Sequence, residues 1–177
     1  MNKKILWITR TGLFVALLVA LQAVLAAFGN QLVTGSAVNF ILIISVMTCG
    51  LATGGCVAAI SPAVAALFGV GITSQFPQLI PVIGLGNFVL VLIWFLIGNR
   101  KIGFAYLSYG IALTAAAVGK FLVLYVGVTH IVALLITLPA PVLAAMSLVQ
   151  LFAALIGGAV AMMALPLLKK ALRAQGA

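Results

Sequence analysis

The sequence predicts an all-α membrane protein of six transmembrane helices with both termini cytoplasmic. The first observation behind this is composition. Of 177 residues, 66% are hydrophobic and 5% are charged, whereas a soluble domain carries roughly 25% charged residues. Lipid must therefore be the main solvent. The second is the length of the apolar runs. They approach the roughly 20 residues that cross a bilayer, they are divided by Gly, Pro and Asn, and they lack the apolar–polar alternation of a membrane barrel. The third is where the positive charge falls.

In chain order the expected spans are 6–28, 37–51, 54–70, 79–98, 104–127 and 142–168, forming a single integral membrane domain over 1–177. The basic start followed by an apolar run resembles a signal peptide. The run is too long for one and more spans follow, so it reads as a retained first helix. Gly29 to Ser36 forms a polar loop, Thr53-Gly54-Gly55 a tight turn, and Gly71 to Gln78 a loop containing Pro77. Pro81 suits the start of the fourth helix. Asn99-Arg100-Lys101 is a short basic turn, and Pro139 and Pro141 precede the sixth helix.

With six spans, Lys3, Lys4, Arg10, Arg100, Lys101, Lys169, Lys170 and Arg173 all fall on one side, which the positive-inside rule makes cytoplasmic. The net charge of +9 is then a topological signal and does not point to nucleic acid. Trp7, Trp94, Tyr106 and Tyr109 lie near the inner interface, as belt anchors do. Cys49 and Cys56 form no metal motif and read as packing residues.

One basic residue remains. Lys120 sits within the fifth apolar run, roughly 10 Å below its outer end at 1.5 Å per residue. The chain contains no Asp and no Glu, so no side-chain carboxylate can pair with it. Asn87 in helix four, Gln22 in helix one, Gln150 in helix six and Asn39 just inside helix two fall in the same outer half, with Tyr125 above Lys120. Polar residues from five helices, all in the outer half, point to an outward-opening polar pocket. The Gly29–Ser36 and Gly71–Gln78 loops could close it. A lone Lys without acids favours a ligand carboxylate or polarised carbonyl. His130 falls in the outer loop region as an interface residue.

Other chemistries lack their residues. Gly119-Lys120 has no upstream glycine and is followed by Phe121, so no phosphate loop forms and the chain has no ATPase machinery of its own. Ser61 near mid-membrane and His130 at the surface make a poor dyad. No enzyme activity, metal or cofactor is expected. Helix one carries Gly12, Ala16 and Ala20 at intervals of four, a flat stripe on which another helix can pack closely.

Several short motifs in order resemble a known family. These are Ala16-Leu17-Leu18-Val19-Ala20, Gly35-Ser36-Ala37-Val38-Asn39, Leu85-Gly86-Asn87, Ala117-Val118-Gly119-Lys120-Phe121 and Val149-Gln150. Together with six helices in this length, they resemble the substrate-binding S component of energy-coupling factor (ECF) vitamin transporters. The resemblance implies a bundle that binds a vitamin or similar micronutrient near the outer surface of a bacterial or archaeal cell membrane. It implies partnership with a transmembrane coupling protein and two cytoplasmic ATPases. Ala16 and Ala20 would meet the coupling protein, and Asn87 and Lys120 would contact substrate. The alternative is a self-sufficient small-solute facilitator or channel, which would need a polar path through the inner half as well.

Overall fold

Helices account for every regular element among the described residues of the computed structural model, which are 3–69, 71–100 and 105–174. In order these are α1 (Lys3–Ala26), α2 (Gln31–Cys49), α3 (Leu51–Leu67), α4 (Ile72–Gln75), α5 (Ile80–Gly98), α6 (Ala105–Val126), α7 (Ala133–Leu135), α8 (Ala140–Ala145) and α9 (Leu148–Ala174). Five continuous stretches are long and apolar enough to cross a membrane: Lys4–Leu25, Gln31–Cys49, Pro77–Gly98, Tyr106–Leu135 and Ala140–Leu172. The chain is thus an all-helical, multi-pass membrane protein. α3 is equally apolar but, at 17 residues, shorter than these five. Val70, Lys101 and Phe104, expected at span ends and in the basic turn, lie outside the described residues.

The expected boundaries shift where local chemistry overrides composition. α2 begins at Gln31, not Ala37, because the Asn30 side chain accepts hydrogen bonds from the Leu32 and Val33 amides (3.0 and 3.3 Å) and caps the helix. Asn39 therefore lies roughly 12 Å along α2 and not at its mouth. The turn between α2 and α3 is a single residue, Gly50, at φ +88°, where only glycine is unstrained. Thr53, Gly54 and Gly55 are buried inside α3. The 71–78 segment holds the short α4 and a 3-10 turn, Pro77–Leu79, that runs into α5. α6 passes Gly127 through a six-residue π-helical turn, Gly127–Val132, into α7. The Thr129 hydroxyl donates to the Tyr125 carbonyl (2.6 Å), occupying one of the carbonyls that the wider turn frees.

α2 is the central element, packed against α1, α3, α5 and α9, while α6 lies between α5 and α9. The main core is built from Leu42, Ile43, Val46, Val57, Leu90, Val91 and the small faces Ala112, Ala116 and Ala117 of α6. Small residues let these helices approach closely, which replaces the hydrophobic driving force that lipid does not provide. A Cβ on Gly157 of α9 would run into the Ser36 carbonyl and sit 3.0 Å from Cβ of Asn39. This glycine thus sets how near α9 comes to the segment carrying Asn39.

Trp94 corrects the interfacial reading. It is fully buried against Tyr109, with ring centroids 6.1 Å apart, in space left by Gly98 and Gly158. Tyr109 is buried as well and accepts a hydrogen bond from Lys169 (3.2 Å). Trp7 and Tyr106 are exposed, as membrane anchors can be. Cys49 and Cys56 are both free and half-buried.

Replacing Gly157 by Ala should lower stability by about 1–3 kcal/mol through overpacking. Gly12→Ala, where an added Cβ meets nothing within 4 Å, should be nearly neutral. Thermal unfolding of the two variants in the same detergent checks the difference.

Candidate functional site

Lys120 is met by two other helices directly and by a third through Asn87. Its side chain leaves α6 and crosses Gly86 of α5, where an added Cβ would lie 3.6 Å from its Cγ and 3.2 Å from Leu124. With no side chain at Gly86, the aliphatic stem can lie against α5. Nζ then donates to Oδ1 of Asn39 on α2 (2.7 Å) and to Oδ1 of Asn87 on α5 (2.8 Å). Asn87 Nδ2 donates to the Ser61 hydroxyl on α3 (3.2 Å), and Ser61 donates to the Ala58 carbonyl (3.2 Å). Lys120 and Asn87 are 2% exposed and Asn39 is 0% exposed. The ammonium is thus held by neutral dipoles, at the short distances of charge-assisted bonds.

This cluster borders a cavity of about 70 Å³. Lys120, Asn87 and Ser61 lie on its wall with Pro62, Ala65, Val38, Ile83 and Met146. Gln150 of α9 and Gln22 of α1 line it from two further helices, and Gln31, Thr34, Gly71, Ile72 and Thr73 border it as well. Among the described residues no hydrogen bond satisfies Gln22 Oε1 or Asn39 Nδ2, although both atoms are enclosed. Such groups are costly to leave unmade, at about 1–3 kcal/mol each.

The structure brings Lys120, Asn87, Gln150 and Gln22 to this cavity, and Asn39 to Lys120 without lining the cavity itself. Tyr125 is placed elsewhere. It is 43% exposed on the outer face of α6 and stacks on Phe121, with centroids 5.8 Å apart. One helical turn from Lys120 does not guarantee the same face, because position 125 is five residues on and rotated well away. His130 is exposed in the π-helical turn, with Nδ1 2.6 Å from the Thr129 hydroxyl.

Ser61 and Thr73 were not singled out as binding residues by the sequence. Ser61 was visible as a hydroxyl at mid-membrane, and its position within reach of Asn87 is what gives it a role. Thr73 is buried only because α4 folds its segment inward. The Gly12, Ala16 and Ala20 stripe lies on the opposite, lipid-facing side of α1. There it lines an open apolar groove with Trp7, Ile60, Val64 and Phe68, from α1 and α3 and the end of α3. Among the described residues no group of His, Cys, Asp or Glu could hold a metal ion.

No protein-family model, curated protein or solved structure matches this chain.

Coupling within the cluster is measurable. Asn39→Ala and Asn87→Ala should each cost about 1.5–3 kcal/mol of stability, the range for a hydrogen bond to a charged group. In a Lys120→Met background each should cost much less. A double-mutant cycle by unfolding in detergent reads the interaction energy directly.

Proposed function

We propose that this chain is the substrate-binding subunit of a membrane importer of the ECF type. In this reading it captures a small micronutrient in an outward-facing pocket and delivers it with a coupling protein and two ATPases. The single observation that carries the reading is the cavity at Lys120. Four helices converge on a buried amine with no acidic side-chain partner, beside enclosed polar atoms that no described residue satisfies. A purely structural lysine would be better served by leaving no cavity next to it. The chain lacks a phosphate loop, so energy for uptake has to come from partners.

Six spans with cytoplasmic termini complete this reading, with α3 as the sixth. α3 is joined to α2 by one glycine, so the two helices run antiparallel, and its residues 51–67 with the following turn bring it close to the length of a thin span. All eight topological Lys and Arg residues then face the cytoplasm of a bacterial or archaeal cell. The groove over Gly12, Ala16 and Ala20 supports a helix-docking face for the coupling protein, since small residues there let a partner backbone come near.

Purified chain, without ATP or partners, should bind a small molecule more tightly than about 1 mM. The same chain alone in liposomes should not move that molecule across the bilayer. Transport by the lone chain would instead favour a self-sufficient facilitator. Mass spectrometry of compounds released from the purified protein identifies what it carries.

Ala16→Leu and Ala20→Leu should weaken assembly with the coupling protein while leaving ligand binding intact. Both residues are exposed, so the added bulk costs little within the chain. Co-purification of the complex measures the effect, and assembly that survives both changes removes this face from the proposal.

A further inference from the structure

We propose that the ligand of this cavity is an organic carboxylate that also bears an N–H or O–H donor and carries no cationic group. The inference rests on the binding-subunit reading and narrows its substrate class.

The donor count at the Lys120 cluster is lopsided. Lys120 brings three N–H groups, and Asn39 and Asn87 bring two each. Three of these are taken, by Asn39 Oδ1, Asn87 Oδ1 and the Ser61 hydroxyl. Ser61 directs its own proton to the Ala58 carbonyl and so offers none. About four donors are left in this buried cluster: one each on Lys120 and Asn87, which line the cavity, and two on the enclosed Asn39 Nδ2 beside them. A neutral carbonyl accepts at about two lone-pair sites, whereas a carboxylate accepts at about four and donates nothing. The carboxylate also supplies the negative charge that the chain, with no Asp or Glu, cannot offer Lys120 from a side chain.

The same census excludes cations and disfavours zwitterions. A ligand ammonium would lie near the Lys120 amine with no side-chain carboxylate to hold it. The donor requirement comes from the other wall. Gln22 Oε1 is enclosed, its side chain borders the cavity, and it receives no hydrogen bond from the described residues. Being an acceptor only, it calls for a ligand N–H or O–H. Gln150 and Thr73 make no side-chain hydrogen bond to described residues and can adapt as donor or acceptor. At about 70 Å³ the cavity has room for roughly two or three water molecules. It therefore receives the acidic head of the ligand and a few further atoms in this state.

The test is a binding panel on the full chain in detergent, read by isothermal titration calorimetry. Three acids are paired with the alcohols that replace their carboxylates: pantothenate with pantothenol, biotin with biotinol, nicotinate with nicotinyl alcohol. Thiamin and riboflavin supply a cation and a neutral ring system. The expected result is that pantothenate or biotin binds, at least about tenfold more tightly than its alcohol. Lys120→Met should abolish that preference. Gln22→Leu, on the peripheral helix α1, should weaken pantothenate or biotin about fivefold or more.

An alcohol that binds as tightly as its acid overturns the proposal, as does thiamin or riboflavin as the sole binder. In those cases the binding-subunit reading stands. Nicotinate as the sole binder overturns the donor requirement, since it has no N–H or O–H to offer. If no compound in the panel binds below about 1 mM, both the substrate class and the reading that it rests on are lost. Should Lys120→Met fail to fold, Gln22→Leu decides alone, and unchanged affinity for the bound acid overturns the assignment.

Discussion

The fold depends on holding one amine in a place where an amine is expensive. Lys120 is buried within an apolar bundle, and the chain has no side-chain carboxylate to set against it. Two amide oxygens from different helices take that role at 2.7 and 2.8 Å. Amide dipoles stabilise an ammonium less than a carboxylate would, and they do so without cancelling its charge. The arrangement satisfies geometry but leaves the electrostatics open. That imbalance distinguishes the Lys120 cluster from a buried ion pair, in which the two charges cancel.

The helix packing follows from this constraint. Asn39 reaches Lys120 because α2 starts six residues earlier than its composition suggests, at the Asn30 cap. α9 can pass close to Asn39 because residue 157 has no side chain. The Lys120 stem lies along α5 because residue 86 has none either. Small residues that would otherwise be generic membrane packing thus determine where the polar atoms meet. The same logic explains Trp94, whose indole fills the space left by Gly98 and Gly158 instead of facing the membrane interface.

Apolar run length and the absence of acids made the helical membrane class legible from the sequence. They also singled out Lys120, because every other basic residue lies near a helix end. Depth along the spans then pointed to Asn87, Gln150 and Gln22. What one-dimensional depth cannot give is azimuth. Tyr125 has a suitable height but points outward, and its position on α6 relative to Lys120 became readable only with the helix in place. Ser61 had the converse problem. Its depth was evident, but its relevance came from Asn87 twenty-six residues later in the chain. Helix starts were the weakest point, because an Asn cap inside a polar stretch resembles a loop by composition.

The two faces of the molecule also differ in what would complete them. The cavity presents hydrogen-bonding groups, among them the enclosed Gln22 Oε1, so an occupant with matched polar groups lowers its free energy. The groove on α1 and α3 presents methyls and backbone, which lipid tails already satisfy. A partner can displace lipid there only by closer packing than acyl chains achieve, and exposed Gly12, Ala16 and Ala20 permit that closeness. In the proposed reading, recognition of solute and recognition of protein rest on different physics. The cavity and the groove are different surfaces of the bundle, and α1 borders both, with Gln22 at the cavity and Ala20 at the groove. A small rotation of α1 would change both surfaces at once, so in that reading this helix is the shortest physical route between ligand occupancy and partner docking.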